Sequence, residues 1–87
     1  MNEQRWNVAL QAARDAAAAA ADVIRYYWRR GVEVEIKSDA TPVTIADREA
    51  EKAIRAVLMA AVPEASIYGE EFGLDGDRDG LLWLVDP

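Results

Sequence analysis

Ser66-Ile67-Tyr68-Gly69-Glu70-Glu71 and, ten residues on, Leu82-Trp83-Leu84-Val85-Asp86-Pro87 decide how this chain is read. Each is a short apolar run that ends in acid. The first reads as a strand over 66–69. The second is continuously apolar from Leu81 to Val85, which predicts a strand over 81–86 buried on both faces. Two such strands deliver Glu70 and Asp86 to one edge of a sheet. A charge placed directly after a buried strand must reach water, find a counter-ion or bind a cation. Open α/β sheets also place their ligands beyond the carboxyl ends of their strands.

The charge distribution singles out the same region. The 87 residues carry a net charge of −6. Residues 1–63 hold nine acids and nine bases, whereas residues 64–87 hold seven acids and a single base, Arg78. With no basic stripe, nucleic-acid binding is not expected. The chain contains neither Cys nor His. That removes disulfides and the usual zinc and copper ligand sets, and leaves a hard, oxygen-ligated cation such as Mg²⁺, Mn²⁺ or Ca²⁺. General-base work would then fall to a carboxylate or to metal-bound water.

Working outward, residues 3–30 predict one long amphipathic helix. Trp6, Leu10, Ala13, Ala17, Ala20, Ile24 and Tyr27 recur at three- and four-residue spacing and form its expected buried stripe. The alanine run over 16–21 favours helix and permits close packing; it is too short and too closely flanked by charge to cross a membrane. Gly31 is the natural stop. Residues 32–36 alternate apolar and acidic, as a half-wet extended edge does. A loop through Pro42 follows. A second helix is expected over 44–62, with Thr44 as N-cap, Asp47 in the first turn and Pro63 at the end. Its buried stripe is Ala46, Ala50, Ala53, Ile54, Val57, Leu58 and Ala61. Arg48, Glu49, Glu51, Lys52 and Arg55 are assigned to its wet side, with Glu51 and Arg55 paired one turn apart. Residues 70–80, with three glycines and five acids, read as a loop. The order of elements describes an α/β chain: helix, extended edge, helix, strand, strand.

Three positions are candidates for chemistry, and each has a plainer explanation beside it. Asp47, taken alone, is the kind of first-turn acid that the helix dipole stabilises and that helices commonly carry. Glu70 and Glu71 serve equally as a polar turn, and in extended backbone only one of the two faces a site shared with Asp86. A different constellation lies between them. Asp75-Gly76-Asp77-Arg78-Asp79-Gly80 matches the first half of an EF-hand loop, with Asp86 at its twelfth position, which suggests a calcium-binding or interaction module built on residues 75–79. An EF-hand needs a helix running into the loop, however, and Pro63, Gly69 and Gly73 interrupt that segment.

The ordered set resembles the inositol monophosphatase family. Pro42-Val43-Thr44-Ile45-Ala46-Asp47 is similar to one family segment, Pro63 with Ile67-Tyr68-Gly69-Glu70-Glu71 to a second, and Trp83-Leu84-Val85-Asp86-Pro87 to the start of a third. Thr41-Pro42-Val43-Thr44-Ile45-Ala46-Asp47-Arg48-Glu49-Ala50-Glu51 is most similar to the histidinol-phosphate phosphatase branch. The resemblance implies the first part of a layered αβαβα phosphatase fold. It implies a Mg²⁺-dependent phosphomonoester hydrolase that acts on a small phosphorylated metabolite, histidinol phosphate or inositol monophosphate. Glu70 would bind Mg²⁺, contact the substrate and orient the attacking water. Asp86 would ligate metal, and Asp47 would act in catalysis by hydrogen-bonding a later threonine. Lys37 would lie near the site. The resemblance further implies that residues 1–87 are the N-terminal portion of a longer, cytoplasmic, homodimeric enzyme with no nucleic-acid or membrane partner, and that these residues alone are inactive.

Overall fold

A computed structural model describes residues 2–30, 45–77 and 80–86. The expected extended edge over 32–36, Lys37, the Pro42 loop and the Thr44 cap lie outside the described residues.

Helix α1 runs from Glu3 to Arg30. Its 28 residues, at about 1.5 Å rise each, account for the long dimension of a slab measuring 44 × 26 × 14 Å. Asn2 starts it, its Oδ1 accepting the Arg5 N–H at 2.9 Å. Helix α2 spans Ile45–Ala61 and packs along α1.

The seam between the helices keeps Ala20 of the expected stripe on α1 and corrects most of the rest. Ala9, Ala12, Ala16 and Ala20 are the buried residues of that helix, whereas Trp6, Leu10 and Ile24 are about half exposed and Ala13 and Ala17 also face outward. The buried line is rotated by about one residue from the line of largest side chains. Alanine at every third or fourth position lets two helix backbones approach at the short end of the usual 8–10 Å range. A Trp or Leu in that line would hold them apart. On α2, Ala50 and Leu58 are buried, with Ile54 and Val57 packed against the core, whereas Ala61 is exposed.

Three strands form one sheet in the order β2-β1-β3: β1 Ser66–Gly69, β2 Gly73–Asp75 and β3 Leu82–Val85. The expected strands over 66–69 and 81–86 are present as β1 and β3. β2 lies inside the segment read from sequence as a loop. It pairs antiparallel with β1 through Ile67↔Asp75, Tyr68↔Leu74 and Gly69↔Gly73. Gly69 and Gly73 therefore close a three-residue hairpin loop made of Glu70, Glu71 and Phe72. Gly73, at φ 73°, supplies the left-handed residue that such a loop requires. What leads into Asp75 is thus a strand rather than the incoming helix of an EF-hand.

One face of the sheet rests on the helices. Ile67, only 1% exposed, joins Ala12, Ala16 and Leu58 in the core, with Trp83 and Val85 packed against them. On the other face Tyr68 is in register with both Leu74 and Leu84. This apolar row stays open, and Leu84 is 76% exposed. The expectation that β3 is buried on both faces does not hold within these residues, because the helices cover only one side of the sheet. No helix among the described residues is long and apolar enough to cross a membrane.

Candidate active site

β1 and β3 are parallel, with Ser66↔Leu82, Ile67↔Trp83, Tyr68↔Leu84 and Gly69↔Val85 in register. Neighbouring strands in a sheet run about 4.8 Å apart. The next residue on each chain is an acid, so Glu70 and Asp86 leave the same sheet edge side by side. Both are exposed. β1 also feeds the hairpin loop, which places Glu70 and Glu71 at its tip.

That tip lies against the first half of α2. Asp47, Glu51 and Arg55 are one turn apart and form a line along the helix. Glu51 is fully buried at 0% exposure. Its Oε1 accepts the backbone N–H of Glu71 at 2.9 Å, and its Oε2 accepts the backbone N–H of Phe72 at 3.0 Å. Oε2 also accepts Arg55 Nε at 3.1 Å. Arg55 in turn donates through a guanidinium nitrogen to the Gly73 carbonyl at 2.6 Å. Two residues of α2 thereby satisfy three successive positions of the hairpin. Lys52 and Arg55 also sit 5.7 and 5.9 Å from the centre of the Phe72 ring.

This corrects the assignment of Glu51 to the wet side of α2. It does pair with Arg55, but inside the protein: the Arg55 side chain is 13% exposed. A buried carboxylate is stable only when its oxygens find donors, and Glu51 has three. Its helical position carried a signal. Spaced three and seven residues before Ile54 and Leu58, it falls on the apolar stripe. The hairpin also left a trace, because Gly69 and Gly73 bracket a short polar turn after an apolar run.

Asp47 lies in the first turn of α2 and is half-buried. Its charge reaches the hairpin tip. Burial pushes the Glu71 carboxyl above its ordinary value; Glu70, Asp47 and Glu51 push the same way, and Arg48 opposes them. The charges of Glu70 and Asp47 thus bear on Glu71 at one corner, the kind of charge crowding that a bound cation relieves. The donors of these acids are all oxygen, which fits a hard divalent ion. Among the described residues no three acids are close enough together to enclose one. Glu70 and Asp86 are the two acids that leave one end of the parallel pair together. Asp77 lines a separate groove with Asp75 and Ser66, at the other end of β1 from Glu70.

Residues 6–87 match the model of the inositol monophosphatase family. The chain is similar to a histidinol-phosphatase of Chlorobaculum parvum, at 44% identity over 62 residues that cover 71% of this chain and 24% of that protein. It is similar to a chloroplastic bifunctional phosphatase of Arabidopsis thaliana, at 38% identity over 73 residues, covering 82% of this chain and 21% of that protein. It is also similar to the Nus factor SuhB of Pseudomonas aeruginosa, at 40% identity over 85 residues, covering 93% and 30%. The chain thus spans between 21% and 30% of the length of these relatives.

Proposed function

This chain belongs to the inositol monophosphatase family, and we propose that residues 1–87 form the N-terminal portion of one larger phosphatase domain that hydrolyses a small phosphomonoester with Mg²⁺. The observation that carries this reading is the parallel register of β1 and β3, which brings Glu70 and Asp86 out of one sheet edge. When bound, Mg²⁺ supplies the positive charge that acidifies water and neutralises phosphate oxygens.

In this reading Glu70 and Asp86 hold the metal, and Glu70 also faces the substrate and orients the attacking water. Asp47 acts at the same corner from the first turn of α2, holding a proton-bearing group of the later chain. A phosphate dianion is repelled by these carboxylates alone, so the cation must be in place before the substrate binds. Histidinol phosphate is the first substrate to test, supported by the likeness to proteins named histidinol-phosphatase; inositol monophosphate is the second.

The deciding experiment is phosphate release by the full-length enzyme and its Glu70→Gln variant, with and without Mg²⁺. The variant keeps its fold and loses most turnover. Near-normal turnover in Glu70→Gln would overturn the assignment.

A further inference from the structure

We propose that Glu51 is a positioning residue, a buried carboxylate whose bonds to the hairpin backbone aim Glu70 at the metal. The inference rests on the phosphatase reading above and adds to it a residue that touches neither metal nor substrate. The geometry is specific. Glu51 spends both oxygens on the amides of Glu71 and Phe72, the two residues directly after Glu70. Arg55 fixes the same carboxylate and the carbonyl of Gly73. The loop that carries Glu70 is therefore held on both its donor and acceptor sides by a single helix. A three-residue loop without such bonds samples many backbone states, and each freezes only at an entropic cost. The same helix carries Asp47 one turn earlier, so the clamp sets the distance between the two arms of the site.

Gly69 supports this assignment. Its Cα lies so close to Glu51 that a Cβ there would come within 2.5 Å of the carboxyl carbon. The strand end is built around the carboxylate, and its bonds run to the backbone directly after Glu70. Groups that orient metal ligands typically change metal affinity by about 10–100-fold when removed.

The test uses the full-length enzyme, Glu51→Gln and Arg55→Gln, with Glu64→Gln as a surface control. Mg²⁺ affinity is measured by calorimetry, and phosphate release is followed at rising Mg²⁺. Glu51→Gln is expected to weaken Mg²⁺ binding by about tenfold or more, with kcat recovering at saturating metal. Arg55→Gln is expected to shift affinity the same way by a smaller factor, and Glu64→Gln not at all. A role in folding alone would lower Tm without moving the Mg²⁺ affinity of the folded protein, and that result overturns the proposal. If Glu51→Gln does not fold, amide exchange in the unmutated enzyme decides. The Glu71 and Phe72 amides should be protected and become slower still with Mg²⁺; rates indifferent to Mg²⁺ overturn the proposal. Failure of the underlying phosphatase reading is seen separately, as an unmutated enzyme that binds no Mg²⁺ and releases no phosphate.

Discussion

The carboxyl group of Glu51 occupies the space that any side chain at position 69 would need: a Cβ on Gly69 would lie 2.5 Å from Glu51 Cδ and 2.6 Å from each oxygen. Neither group can yield easily, because Gly69 is in register with both Gly73 and Val85 and Glu51 is tied by three hydrogen bonds. Gly69→Ala should therefore destabilise the protein by about 1–3 kcal/mol, as overpacking does. Most of that cost should vanish when Glu51 is already alanine. A double-mutant cycle from urea unfolding measures the coupling, and simple additivity would show that the two groups do not compete for space.

Replacing Glu51 by leucine keeps its approximate bulk but strands two amide donors and the Arg55 guanidinium. Breaking a buried pair in this way costs about 3–5 kcal/mol. Glu51→Gln, which retains one acceptor oxygen, should cost less, about 1–3 kcal/mol. The ranking is read from denaturation midpoints of the full-length enzyme.

The two glycines of the segment after β2 should respond differently to alanine. Gly76 has φ 109°, and a Cβ there would run into the Ser66 side chain and backbone; Gly80 has φ 73° with open space around it. Gly80→Ala should cost only the left-handed strain of about 1–2 kcal/mol. Gly76→Ala bears a steric clash in addition and should be clearly worse. Equal melting temperatures for the two variants would contradict the placement of Gly76 against Ser66.

Bound cation should stabilise the fold. Burial and the charges of Glu70, Asp47 and Glu51 all disfavour the ionised form of Glu71, so positive charge added at this corner is favourable. Mg²⁺ at a hundred times its Kd should add about 2.7 kcal/mol of stability, reversed by a chelator. Glu70→Gln should abolish the gain while leaving the metal-free melt no lower. Thermal scans with and without Mg²⁺ make the comparison.

The row formed by Tyr68, Leu74 and Leu84 leaves an apolar sheet face open in these residues. The 87-residue chain prepared alone should self-associate through it, since an exposed apolar sheet face invites stacking. Leu84→Lys should reduce that association. Sedimentation of both forms at matched concentration tests this; a monomeric unmutated chain would count against it.

How much of this was legible in the sequence differs from element to element. Helix α1, helix α2 and the strands β1 and β3 follow from local signals: alanine-rich periodicity, a first-turn acid, a terminating proline and apolar runs ending in acid. Asp47, Glu70 and Asp86 were legible as candidates because residue type and position along an element suffice to nominate them. The oxygen-only donor set follows from the absence of Cys and His.

Tertiary structure decided the rest. An alanine-rich helix has several faces able to pack, and which one does depends on how closely its partner can approach; that rotated the buried line of α1 from Trp6 and Leu10 to Ala9, Ala12, Ala16 and Ala20. Gly69 and Gly73 hint at a turn, but β2, at three residues, is a strand only because β1 offers it a ladder. Above all, helical spacing puts Glu51 on the apolar stripe of α2 but does not say what would satisfy its charge there. Whether a carboxylate is buried depends on donors brought to it from elsewhere, here two amides 20 and 21 residues away in sequence, and only the fold brings them within reach.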